Sequence, residues 1–176
     1  MPKLIVILFL LLTFLTSSCG YNFVGTAPIN LPHDKKNLFI NFVLNPTQEA
    51  WLEPYLRSQF RDEFTRRGQV NWVSEESAEA LVTIQINEFR TSDSLTARQD
   101  RTVRTTVVIN MEAKFLDART SELIWSSGQA TGSSSFFLAA EDASMPGSSG
   151  PLQQRASREA VDQAVTRIAD RLGERF

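Results

Sequence analysis

Two side chains set the chemical limits of this 176-residue sequence: Cys19, its one thiol, and His33, its one imidazole. With a single histidine there is no second imidazole to share a metal ion or to complete a set of nucleophile, base and orienting group. His33-Asp34 has the composition of a dyad fragment, but neighbours on an extended chain point to opposite faces, which leaves a solvated loop as its reading. The acidic pairs Glu75-Glu76 and Glu141-Asp142 read as loop solvation, and no glycine-rich phosphate loop is present. Spacing alone does not exclude a hydrolytic carboxylate pair, yet nothing in the sequence asks for one. The expectation is a protein that is not an enzyme and uses no metal or soluble cofactor. Two other groups are candidates for binding. Arg90, Arg98, Arg101 and Arg104 fall at or near the ends of two expected strands, where converging guanidinium groups would grip phosphates through bidentate hydrogen bonds; scattered solubilising charge is the competing account. Phe136-Phe137-Leu138 is the one apolar cluster in a Ser/Gly-rich stretch from Gly132 to Gly150, which reads as a loop, and it is the candidate for partner contact.

The elements that position these residues follow from hydrophobic period. Leu38 to Leu44 is a short, nearly continuous apolar run suited to a central strand. Asn45-Pro46-Thr47-Gln48 ends it and predicts a helix start, with Asn45 as N-cap and Pro46 in the first turn. Leu52, Tyr55, Leu56, Phe60 and Phe64 form one helical stripe that stops at Gly68, and Pro54 requires either a kink or a regular helix that begins there. Residues 81–89 and 102–116 alternate with period two, the polar partners being Thr83, Gln85 and Asn87 in one and Thr106, Asn110, Glu112 and Lys114 in the other. Ser92 to Arg101 reads as the loop between them, Asp117 to Glu122 as a hairpin loop into Leu123-Ile124-Trp125, and 69–73 as a short extra strand. Pro151 opens a last helix with Val161, Ala164, Val165, Ile168 and Leu172 on one face. The order β-α-β-β-β-α predicts a single α+β domain, with two helices packed on one face of a mostly antiparallel, mixed sheet. The other face would carry Thr, Gln, Asn, Glu and Lys with scattered Phe39, Val43 and Val108. Such a face is either simply solvated or in contact with a wet, polar partner, of which a barrel lumen is one kind.

Composition leaves little room for other classes. With 18 basic and 20 acidic side chains the net charge is −2, which argues against nucleic acid as a partner. Lys3 is the sole charge before an apolar run from Leu4 to Leu12, too short to span a bilayer and followed by Thr16, Ser17 and Ser18. Residues 1–18 therefore read as a signal peptide. The placement of Cys19 directly after them resembles a bacterial lipoprotein signal, in which that cysteine becomes a lipidated N-terminus; Thr16 stands where such signals usually carry Leu. Ordinary cleavage leaving a free thiol is the alternative. On the lipoprotein reading Cys19 carries a diacylglycerol and an N-acyl chain, enough for durable anchoring. Gly20 after the cysteine favours, by resemblance to lipoprotein sorting, the periplasmic side of the outer membrane. Residues 19–36, with Gly20, Gly25, Pro28 and Pro32, read as a tether, and 37–176 as the domain. Removal of 1–18 leaves 158 residues and a net charge of −3, and a chain of that size buries enough surface to need no disulfide.

Cys19-Gly20-Tyr21-x-Phe23, Leu31-Pro32, the strand ending at Asn45, Glu63-Phe64-Thr65-Arg66-Arg67-Gly68, Ala78-Glu79-Ala80-Leu81-Val82, and Phe115-Leu116-Asp117 before Leu123-Ile124-Trp125 form an ordered set. It resembles the LPS-assembly lipoprotein LptE family over nearly all of the chain after the signal. The resemblance implies an outer-membrane lipoprotein that plugs the large LptD-type barrel, one to one, helps it fold, and assists delivery of lipopolysaccharide to the outer leaflet. It also implies a basic lipopolysaccharide contact in a strand-connecting loop, for which Arg98 and Arg101 are the positional candidates, with Arg104 beside them. A lipid-anchored periplasmic protein binding an amphiphile outside any barrel, or a lipid-anchored hydrolase, are the competing classes.

Overall fold

The computed structural model describes residues 29, 31, 34–68, 70–95, 102–139 and 150–174. Along the chain run β1 (Asn37–Leu44), α1 (Leu52–Arg67), β2 (Asn71–Trp72), β3 (Ala80–Leu95), β4 (Thr102–Asp117), β5 (Leu123–Ser126), β6 (Ala130–Ala139) and α2 (Gly150–Gly173). The strands make one sheet in the order β2-β1-β3-β4-β5, and β6 pairs with β4 alongside β5. β1 is parallel to both β2 and β3, reached through the α1 crossover, while β4 is antiparallel to β3, β5 and β6. This is the expected α+β domain with a mixed sheet.

One face of the sheet makes the core. Leu52, Leu56, Phe60 and Phe64, four residues apart on α1, are fully buried against Leu38, Ile40, Val82, Ile84 and Phe115. Phe60 and Phe64 stack at 4.1 Å between centroids, and Phe115 adds a ring at 5.8 Å from Phe64. Each such side chain contributes roughly 1.5–3 kcal/mol of burial. α2 covers β4 and β6 with Ala156, Ala160, Val161, Ala164, Val165, Ile168 and Leu172. The helices also touch each other on that face. Arg67 reaches Asp170 at 2.5 Å while pairing with Glu63 at 2.5 Å, and the Tyr55 hydroxyl donates to Asp162 at 3.1 Å.

Several local expectations change. The helix begins at Leu52, not behind Asn45. Asn45 Oδ1 instead accepts from the Thr47 N–H and hydroxyl, a closed turn that satisfies the groups a cap would have served. Pro54 then sits in the first turn, where its missing N–H has no intrahelical partner to lose. Gly68 ends α1 with extended backbone at φ −129° in a tight place: an added Cβ would lie 3.1 Å from the Ile29 carbonyl oxygen, which belongs to the bridge between Ile29 and Gly68. Ile29 and Leu31 are buried, so this part of the expected tether is packed into the domain. The expected loop at Ser92–Arg101 is shorter, because β3 and β4 stay paired out to Leu95 and Val103.

The largest correction concerns the Ser/Gly-rich stretch. Gly132 to Ala139 is not loop but most of β6, registered on β4 from Met111–Ala130 to Thr102–Ala139. Residues 140–149 of the expected loop lie outside the described ones. Small polar residues are tolerated there because one side of β6 lies beneath α2: a Cβ on Gly132 would sit 1.8 Å from the Ala160 carbonyl oxygen. β5 and β6 are one strand interrupted by a bulge at Ser127–Gln129, where Gly128 takes φ +59°.

Candidate functional site

The outer face of the sheet, away from the helices, is the broad surface the fold leaves open. Its composition follows from register. A bulge at Asn41 shifts the alternation in β1, so that Val43 turns into the core and Phe42 and Leu44 turn outward. The expectation of an outward Val43 is therefore reversed. Phe39, Leu81, Leu116 and Leu123 face one another across four strands as an apolar row, with Phe42 and Leu44 beside it on β1. Phe42 and Leu123 are each 57% exposed and Leu44 48%.

Beyond that row the face is polar, and most of its charged side chains pair within the sheet. Glu112 accepts from the Ser126 hydroxyl at 2.7 Å and lies 3.6 Å from Lys114, Asn110 donates to Gln129, and Arg90 pairs with Glu88 at 3.4 Å. At the hairpin end Arg104 lies opposite Phe137, its guanidinium 5.9 Å from the ring centroid and bonded to Ser135 Oγ at 3.2 Å. Phe137 is again 57% exposed. The face is thus apolar at one end, polar in the middle, and cationic over an aromatic ring at the other.

The structure separates the expected binding residues. Arg104 and Arg90 both lie on the outer face, each with its own partner, and they do not pair with each other. Arg98 and Arg101 lie outside the described residues, as do Cys19, His33, Glu141 and Asp142. Phe136 points into the core and is buried, so it is removed from the partner-contact candidates; Leu138 is half-buried against the core, and Phe137 alone of the three is presented outward. The pair Glu75-Glu76 forms an exposed 3-10 turn. Phe42, Leu44 and Leu123 were not among the expected residues. The signal for Leu123 was the hairpin register that sets it opposite Leu116, whereas nothing in the alternation marked the Asn41 bulge.

The ionisable groups with displaced titration serve structure. Asp117 is held well below the usual carboxylate range, chiefly by the Lys35 ammonium at 2.5 Å and then by the N–H groups of Arg119 and Thr120. Glu79 is lowered by the backbone N–H groups of Asn37 and Lys36. Together they clamp the segment before β1 to the hairpin loop. Burial pushes Tyr55 up to about 12, assisted by the Asp162 charge, and burial likewise raises Asp162. Among the described residues no group of three or more His, Cys, Asp or Glu side chains is placed to hold a metal ion. None of the described helices is long and apolar enough to cross a membrane.

None of the curated proteins matches the chain. Among solved structures it is similar to a putative lipoprotein from Caulobacter crescentus CB15 (TM-score 0.52, 19% identity, 77% of this chain and 88% of that one), which establishes the shared fold. It is also similar to a minor lipoprotein from Acinetobacter baumannii, at TM-score 0.48, 12% identity, and 80% and 92% coverage. The family model for LptE, lipopolysaccharide-assembly, matches residues 36–176, the whole of the sheet and both helices. A match of that extent over the fold just described means that the chain belongs to the LptE lipopolysaccharide-assembly family.

Proposed function

We propose that this protein is an outer-membrane lipoprotein, anchored through lipid on Cys19 at the periplasmic side, that occupies the lumen of an LptD-type barrel one to one, assists the barrel's assembly, and takes part in delivering lipopolysaccharide. The observation that carries the reading is the outer sheet face, seen in a member of the lipopolysaccharide-assembly family. A plug needs a wide surface that is wet and neutral over most of its extent, because the interior wall of a barrel is polar. The polar middle of the face, with Glu112, Lys114, Arg90 and Glu88 already paired within the sheet, meets that need without carrying unpaired charge into the lumen. The exposed Phe42, Leu44 and Leu123 supply the few apolar anchors that hold such an interface in one register. The Arg104–Phe137 pair, cation over ring, is suited to an amphiphile that presents phosphate beside acyl chains, and lies at the end of the hairpin that carries Arg98 and Arg101.

The test is extraction in mild detergent, affinity purification of this chain, and mass spectrometry of both the co-purified proteins and the N-terminal peptide. The expected result is a β-barrel of much higher mass in about equal amount, with a first peptide starting at acylated Cys19. Recovery of the chain alone would refute the plug, and an unmodified Cys19 would refute the anchor.

A further inference from the structure

An edge strand exposes a row of backbone N–H and C=O groups that a second chain can pair with. β5 and β6 form such an edge, since among the described residues only β4 pairs with them. Four of the groups along it are nevertheless occupied. Arg171 Nη1 donates to the carbonyl oxygens of Ser127 and Gln129 at 2.7 Å each, Arg167 Nη1 donates to Thr131 O, and the Ser133 N–H donates to Gln163 Oε1 at 3.3 Å. Gln129, Thr131 and Ser133 step by two and so share the side facing away from β4, while Ser127 lies across the bulge, its N–H donating to the Ala113 carbonyl oxygen of β4 and its own carbonyl oxygen accepting from Arg171. The helix residues step by four, so they share one ridge of α2.

These two periods nearly match. Four helix residues rise about 6 Å and two strand residues about 6.8 Å, so a helix lying along a strand meets successive outward groups with successive ridge residues. One step further along the ridge Glu159 accepts from the Ser134 hydroxyl at 2.8 Å. The approach needed is close, and Gly132 beneath Ala160 permits it.

We propose that Gln163, Arg167 and Arg171 are an edge shield: they stand in for the missing neighbour of β6 and keep a second copy of this chain from pairing along it. Arginine suits the role because it has five donors and no acceptor, so it satisfies carbonyl groups and offers an incoming strand nothing to copy. The shield also places two cations along an edge that would otherwise meet the same edge of the second copy.

The test compares the full chain in detergent with its Gln163→Ala, Arg167→Ala, Arg171→Ala variant by sedimentation velocity over a range of concentrations. The variant is expected to self-associate at least about tenfold more tightly than the parent, about 1.4 kcal/mol. Adding Ser133→Pro, which deletes the outward N–H and is tolerated on an edge, is expected to abolish the gain. A folded variant that associates no more than the parent, or whose association survives Ser133→Pro, would overturn the proposal. Amide exchange on the unaltered chain gives a second test that does not depend on the variant folding. The Ser133 amide should exchange at least about tenfold more slowly than the outward amides of Ser135 and Phe137, which lie past the end of the shield. Equal rates would also overturn it.

Discussion

Replacing Gly132 with alanine would put a methyl carbon 1.8 Å from the Ala160 carbonyl oxygen, 2.8 Å from the Ala160 carbonyl carbon and 2.9 Å from the Ala164 nitrogen. An ordinary carbon–oxygen approach is about 3.3 Å, so the two elements must separate by more than about 1 Å. All three offending atoms are backbone, so no rotamer change relieves the clash. Overpacking a core commonly costs about 1–3 kcal/mol, and a separation of that size forfeits a good part of the dispersion contact along Val161, Ala164 and Val165. We expect a loss of about 3 kcal/mol, which for a domain of this size lowers Tm by roughly 6–12 °C. The sign is itself informative, because where there is space Gly→Ala stabilises by about 0.4–1 kcal/mol through the unfolded chain. Two glycines serve as controls in the same thermal and urea melts followed by circular dichroism. Gly150 has nothing within 4 Å and should be neutral or slightly stabilised; Gly128 would meet only Arg171 Nη1, at an ordinary 3.9 Å, but has φ +59° and should lose about 1 kcal/mol. Ala160→Gly should not rescue the Gly132 variant, since the obstacle is the carbonyl and not the methyl of residue 160. A Gly132→Ala protein within about 0.5 kcal/mol of the parent would show that α2 does not lie against β6 as described.

Other outcomes follow from the ion pairs and the helix contact. Arg67→Ala strands Glu63 and Asp170 beside an apolar core and should cost about 3 kcal/mol in urea unfolding, with Arg67→Met costing less because it keeps the packing. Tyr55 should ionise last as absorbance at 295 nm is followed upward, near about 12, and Asp162→Asn should bring that step down; a single tyrosine step at the ordinary value would contradict the contact between the helices. Asp117 and Glu79 have lowered values when folded, so the stability they contribute is present above the ordinary carboxylate range and is lost as pH falls through their lower folded values. Asp117→Asn should therefore flatten the fall of stability with pH below about 4, and an unchanged acid limb would remove the Lys35 clamp from the account.

Much of the fold was legible because it depends on period. The α1 stripe of Leu52, Leu56, Phe60 and Phe64, the alternation of Val107, Ile109, Met111 and Phe115, and the last helix are each specified by which side chains must leave water together, and the structure buries them so. The miss at β6 has the opposite cause. Ala130 to Ala139 lacks the β-branched alternation of an independent strand, and its pairing comes from β4 on one side and α2 on the other. The start of α1 was misplaced because Asn45 can cap a helix or close a turn through the same side-chain oxygen, and local sequence does not choose between them.

The outer face divides along the same line. By itself the sequence determined that a helix-free face would be polar and that no multi-histidine chemistry was available, because both follow from residue types and a period of two. Only the tertiary structure decided which apolar residues appear there and how the far edge is closed. One extra residue in β1 exchanges Val43 for Phe42 and Leu44, and strand register gathers Phe39, Leu81, Leu116 and Leu123 into a single row. Gln163, Arg167 and Arg171 meet the Ser127–Ser133 edge because a four-residue helix step nearly equals a two-residue strand step, a match that exists only once Gly132 lets the two backbones lie side by side.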